Sequence, residues 1–266
     1  MDSKILKITG MEGTNNSTRR KFLRNTLLTT ALSVSMPQLL SSAFAGEKLK
    51  RKINLKKGDV ILFHGDSITD ATRNKENYEA NNSAALGSGY AMMASAELLN
   101  NHANKNLKIY NRGISGNKVY QLAERWENDT IQLRPDVLSI LIGVNDFWHT
   151  LSFGYKGTIK TYNDDLRSLL EKTRQKLPNI KFIIGEPFAV KDIKIVNEKW
   201  YPAFNEYRKT ARKIAESYDA VFIPYQSMYD KAQKYAPGVY WTLDGVHPTL
   251  AGANLMAHTW LQFIKS

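Results

Sequence analysis

The chain has no cysteine. Disulfides, thiolate zinc sites and cysteine nucleophiles are therefore excluded, and such a chain can work in an oxidising compartment without mispairing. Long apolar runs are scarce too. A moderately apolar stretch at roughly 27–40 is diluted with Thr, Ser and a proline, and it falls short of the ~20 residues a membrane span needs. No His-Glu-x-x-His or other metal-ligand spacing occurs, so neither metal nor cofactor is expected. The elbow Gly-x-Ser-x-Gly is missing everywhere, which argues against the ordinary α/β-hydrolase arrangement.

The N-terminus carries Thr18-Arg19-Arg20-Lys21-Phe22-Leu23, then the apolar stretch, then Ala43-Phe44-Ala45 before Gly46. Charged, apolar and small-residue segments in that order make an export signal. The paired arginines point to the Tat route, which carries folded cargo. A basic amphipathic helix or a single membrane anchor is the alternative reading. No cysteine follows the cleavage site, which excludes lipid attachment there. Residues 1–45 are thus expected to be a Tat-type signal and 46–266 one domain, large enough for its own core. The mature part is expected to be periplasmic or secreted, with the Tat machinery as an export partner and no stable membrane insertion.

The formal charge is +12, of which the first 45 residues hold +4 and the rest +8. That balance raises nucleic acid, anionic membrane or acidic polysaccharide as partners. Yet the basic residues are interleaved with carboxylates, as in Lys191-Asp192-Ile193-Lys194, and no segment shows a continuous basic stripe or a nucleic-acid motif. A solvated basic surface is the better reading, and no nucleic-acid partner is expected.

Five short apolar runs recur at Val60–Phe63, Lys108–Asn111, Val137–Ile142, Phe182–Gly185 and Val221–Ile223. Runs of this kind suit strands buried on both faces. Between and after them, amphipathic stretches predict helices at about 89–101, 119–131, 159–176, 201–217, 225–235 and 249–264. Alternation of this sort implies an α/β fold with a parallel sheet and helices on both faces. Ligands bind beyond the carboxyl ends of such strands.

The polar motifs fall at those ends. Gly65-Asp66-Ser67-Ile68-Thr69 follows the first strand, Asn111-Arg112-Gly113-Ile114-Ser115-Gly116 the second and Gly143-Val144-Asn145-Asp146 the third, while Asp244-Gly245-Val246-His247 precedes the last helix. Each alone is ordinary turn or capping chemistry. Together the first and last offer a hydroxyl, an imidazole and a carboxylate. A serine hydroxyl is a poor nucleophile unless a base stands beside it and an acid orients the base.

With four motifs in this order, the chain resembles the SGNH hydrolases, also called GDSL esterases and lipases. The resemblance covers essentially all of the chain after the signal. It implies a three-layer α/β/α sandwich around a five-stranded parallel sheet, flavodoxin-like in kind, and a carboxylic ester hydrolase. It also implies Ser67 as nucleophile, His247 as general base and Asp244 as its orienting acid. The oxyanion hole would comprise the backbone N–H groups of Ser67 and Gly116 and the side-chain amide of Asn145. Val144 stands where a second glycine is common in the family, which should alter packing beside Asn145 without removing the donor. Asp66 is read as bracing the turn. His64 is read as a packed strand-end residue, with a ligand or substrate contact as the alternative.

Trp148 and Trp241 are the expected substrate platforms, with His149 beside the first and Tyr240, Trp200 and Tyr201 as further rim candidates; aromatic rings offer flat apolar faces to sugars. The loop at 74–88 is polar and Asn-rich, with no long apolar lid. The expected substrate is a short-chain, O-acetyl ester on carbohydrate or another acylated small molecule. The alternatives are a lysophospholipase or thioesterase acting on lipid acyl groups, and a non-catalytic carbohydrate-binding protein on the same scaffold.

Overall fold

The computed structural model describes residues 51–265. The segment read as an export signal, 1–45, lies outside the described residues.

The five apolar runs form strands β1 (Val60–Gly65), β2 (Lys108–Asn111), β3 (Val137–Leu141), β4 (Lys181–Gly185) and β5 (Val221–Ile223). They pair in parallel in the order β2-β1-β3-β4-β5. The helices are α1 (Ser67–Asp70), α2 (Ser83–Leu86), α3 (Tyr90–Asn101), α4 (Val119–Trp126), α5 (Val144–Ser152), α6 (Ile159–Lys176), α7 (Phe204–Ser217), α8 (Tyr225–Ala232), α9 (Gly238–Trp241) and α10 (Leu250–Leu261). The fold is the expected three-layer α/β/α sandwich.

Alternation along β1 shows how one strand serves two layers. Phe63 packs on Tyr90 of α3 and Trp260 of α10, with ring centroids 5.8 and 5.0 Å away. His64, the next residue, turns the other way and stacks on Trp126 of α4 at 5.0 Å. Each tryptophan is also tied by its polar end. Trp260 Nε1 donates to Ser139 Oγ on β3 at 3.0 Å, and Trp126 Nε1 donates to Thr173 Oγ1 on α6 at 2.8 Å.

Several boundaries differ from the sequence reading for visible reasons. The stretch read as one helix over 119–131 is α4 followed by a π-helical turn, Glu127–Ile131. That turn brings Asp129 back onto Arg125 and within 3.9 Å of Arg112. Helix α5 was not expected; it begins inside the Gly143–Asp146 motif, which reads as a turn.

In this sheet order the chain leaves β1 toward β2 on one side and toward β3 on the other. The carboxyl ends of β1 and β3 therefore flank a crevice at the topological switch point. Gly65 of β1 is in register with Leu141 of β3, and a Cβ on Gly65 would collide with the Leu141 carbonyl oxygen. Glycine at this position lets the two strand ends close side by side.

Candidate active site

Ser67 opens α1 directly after β1. Asp66 caps this short helix, accepting from Ile68 N–H at 3.0 Å through Oδ1, so the expected bracing role agrees with its position. The Asp244–His247 turn is built round the other carboxylate. Asp244 Oδ1 accepts from the backbone N–H groups of Val246 (2.9 Å) and His247 (2.8 Å), while Oδ2 meets His247 Nδ1 at 2.7 Å. His247 Nε2 lies 2.8 Å from Ser67 Oγ. Hydroxyl, imidazole and carboxylate thus stand in series, although 180 positions separate Ser67 from His247.

The electrostatics fit that order. Burial pushes the Asp244 carboxyl up, but the His247 ring and two backbone amides outweigh it and leave the carboxyl at about 2. An ionised carboxylate only accepts hydrogen bonds, so Nδ1 carries the ring proton and Nε2 offers its lone pair to the serine. The Asp244 hydrogen bond raises the His247 pKa against the opposing effect of burial. Such an arrangement can draw a proton from the alcohol and hold the imidazolium that results.

The other two motifs reach the same place. Gly116 adopts φ +80°, in the left-handed region that favours glycine, and a Cβ there would meet nothing within 4 Å. Its backbone therefore borders open space. Asn145, buried at the start of α5, gives one Nδ2 hydrogen to Asn117 O at 3.2 Å. Ser67, Gly116, Asn145, Trp148 and His247 all line one cavity of about 650 Å³. Ile68, Ala71, Pro248, Leu250 and Ala253 form an apolar wall that the sequence reading did not foresee.

Trp241 is placed elsewhere. It is 5% exposed and does not line the cavity. Its Nε1 donates to the carbonyls of Ala232 and Ala236, both at 3.1 Å, so the indole is turned inward onto that segment. Trp200 is buried against Phe147 and Phe204. The Tyr201 hydroxyl donates to Ala189 O at 2.6 Å. Tyr240 is exposed but outside the cavity. His64 is fully buried; its Nδ1 accepts from Gly65 N–H at 3.0 Å, and it does not line the cavity.

The sequence reading missed the groups that hold the motifs together. Asp70 Oδ2 accepts from both N–H (2.9 Å) and Oγ (2.7 Å) of Ser115, tying the Gly116 loop to α1. The loop after β4 buttresses the acid-base turn through Val190 N–H to Gly245 O at 2.7 Å. Asp146, beside Asn145, accepts from Val119 N–H at 3.1 Å. Asp70 immediately follows the first motif and Asp146 closes the third, but an aspartate at such a place is ordinary turn or capping chemistry and does not single itself out.

Asp66 and Asp146 are both buried, and each leaves Oδ2 without a hydrogen-bond partner. Burial pushes each carboxyl up to about 7. Unfolded, Asp146 ionises near pH ~4. Between that value and about 7 the native state holds more protons, so stability is lost as pH rises through this window. Asp146→Asn removes the cost. Its gain in melting temperature over the parent is expected to be larger at pH 8 than at pH 5, by about 5 °C. Equal gains at both pH values in calorimetry contradict this account.

The sequence pattern of the GDSL-like Lipase/Acylhydrolase family matches residues 63–255. The chain belongs to that family. It is a carboxylic ester hydrolase. An acetylxylan esterase of Geobacillus stearothermophilus is 32% identical over 213 residues, covering 78% of this chain and 94% of that protein. A candidate GDSL-like lipase from Parabacteroides merdae superposes with a TM-score of 0.78 at 55% identity, over 79% of this enzyme and 97% of that one. A solved acetylxylan esterase from G. stearothermophilus gives a TM-score of 0.71 at 29% identity, over 80% and 100% of the two chains. Among the described residues of the enzyme, no helix is long and apolar enough to cross a membrane.

Proposed function

We propose that the enzyme is an exported serine esterase that removes short acyl groups, acetyl foremost, from carbohydrate. The observation that carries the reading is the Ser67–His247–Asp244 series, with links of 2.8 and 2.7 Å, opening into a cavity walled on one side by Trp148. Ser67 Oγ attacks the ester carbonyl while His247 takes its proton, and Asp244 steadies the imidazolium. The tetrahedral oxyanion is met by the N–H groups of Ser67 and Gly116 and by the Asn145 amide hydrogen not given to Asn117. As the intermediate collapses, the acyl carbon–sugar oxygen bond breaks and His247 gives its proton to that oxygen, which leaves as the sugar hydroxyl. Water, activated by the same ring, hydrolyses the acyl-serine. Asn145→Ala removes one donor and is expected to lower kcat by about 100- to 1000-fold with little change in KM.

The choice of carbohydrate is supported by the similarity to an acetylxylan esterase and by the half-buried Trp148 beside the reacting groups. Export rests on the twin-arginine segment and the Ala43-Phe44-Ala45 site, with 46–266 as the mature domain in the periplasm or outside the cell. A catalytically idle sugar-binding scaffold is disfavoured by three reacting groups already at hydrogen-bond distance.

The apolar wall of Ile68, Ala71, Pro248, Leu250 and Ala253 favours a second reading, in which a longer lipid acyl chain lies along it. Acetate release from acetylated xylan, pectin, sialate and peptidoglycan, run beside a chain-length series of nitrophenyl esters, separates the two. The expected result is acetate from a polysaccharide, xylan first, and a preference for acetate among the simple esters. Preference for long acyl chains with no acetate from any polymer overturns the carbohydrate reading.

A further inference from the structure

Two histidines line the cavity, and their environments are opposite. His247 leans on a carboxylate. His149 leans on an ammonium: Lys118 Nζ lies 3.1 Å from His149 Nδ1. His149 stands one turn after Asn145 on α5, on the same face of that helix. Lys118 lies two residues after Gly116 and caps α4. The pair is therefore mounted on the two elements that present Gly116 and Asn145 to the cavity.

Lys118 is held firmly. It is only 7% exposed. Its Nζ sits 5.3 Å from the Tyr155 ring centroid and 5.5 Å from that of Tyr120, and these rings stack on each other at 5.9 Å. The same nitrogen reaches the Gly116 carbonyl at 3.5 Å. A buried cation within reach of two aromatic rings is favourably placed.

An ammonium has three donors and no acceptor. His149 Nδ1 must therefore accept, and the ring proton of the neutral imidazole must sit on Nε2. Burial and the neighbouring Lys118 charge both lower the His149 pKa, which favours the neutral ring. No protein group meets Nε2 among the described residues.

We propose that His149 is the substrate-reading donor of the site, locked by Lys118 as its Nε2–H tautomer to hydrogen-bond an acceptor oxygen of the sugar beside the scissile ester. This rests on the carbohydrate reading above. The acceptor is a hydroxyl, ring or glycosidic oxygen, and the contact is made with the leaving alcohol. Simple aryl esters lack that oxygen. His149 is a specificity residue; His247 remains the base.

The test measures kcat and KM on an acetylated xylo-oligosaccharide and on nitrophenyl acetate for the parent, His149→Phe, His149→Gln and Lys118→Met. Phenylalanine keeps the ring and loses the donor. Glutamine can place an amide N–H near the Nε2 position. His149→Phe is expected to lower the ratio of kcat/KM for oligosaccharide over nitrophenyl acetate by about five- to tenfold, mostly through KM. His149→Gln recovers most of that ratio. Lys118→Met, which frees the tautomer, falls between. An unchanged ratio in His149→Phe overturns the proposal, as does equal loss in the Phe and Gln variants. Parent enzyme that hydrolyses nitrophenyl acetate but frees no acetate from any carbohydrate fails the carbohydrate reading itself, a result visible before any variant is made.

Discussion

Ser67→Ala is expected to lower kcat by on the order of 10⁴-fold or more on every ester the enzyme turns over. In the proposed mechanism the serine oxygen bonds to the acyl carbon, and among the described residues no other hydroxyl is hydrogen-bonded to His247 Nε2. Residual turnover is expected from water attacking a carbonyl held by the proposed oxyanion donors. The fold should not suffer. Asp66, not Ser67, supplies the side chain that caps α1, so the melting temperature should move by less than about 3 °C. Initial rates on nitrophenyl acetate together with thermal unfolding check both halves. Ordinary turnover in a folded variant would remove Ser67 from the mechanism.

Asp244→Asn is expected to cost about 10³- to 10⁴-fold in kcat. The change is nearly isosteric, and the amide oxygen can go on accepting from the N–H groups of Val246 and His247, as Oδ1 does now. The damage lies at the other atom. Replacing Oδ2, 2.7 Å from His247 Nδ1, by an NH₂ group puts a donor against that nitrogen. The ring must then accept there and carry its proton on Nε2, facing the serine with a donor where an acceptor is needed. The carboxylate that raises the His247 pKa is gone as well. Rates across pH distinguish this from lost geometry: a tautomer fault leaves substrate KM nearly as it was and depresses kcat. A variant within tenfold of the parent would mean that Asp244 is not the orienting acid.

The sheet was legible because its central strands are buried on both faces and therefore mostly apolar, whereas the edge strand β2, with exposed Lys108 and half-buried Tyr110, stands out less. β1 runs on through His64 and Gly65, which carry no strand signal and are extended because β3 pairs with them. The four motifs were legible as a set because each is a local turn with its own composition. What joins them was not. The hydrogen bonds of Asp70 to Ser115, Asp146 to Val119 and Lys118 to His149 exist only because the order β2-β1-β3 brings three loops to one edge. Trp241 shows the opposite error. Closeness to Asp244 in sequence suggested the rim, but α9 turns the indole inward onto the carbonyls of Ala232, which ends α8, and Ala236.

Labelling with a serine-directed fluorophosphonate, followed by peptide mapping, tests most directly whether a single activated hydroxyl does the chemistry. The account predicts one adduct, on the peptide that carries Ser67, in step with complete loss of ester turnover, and no adduct in Ser67→Ala. Loss of activity with the adduct on another residue, or full turnover by protein labelled at Ser67, would contradict it.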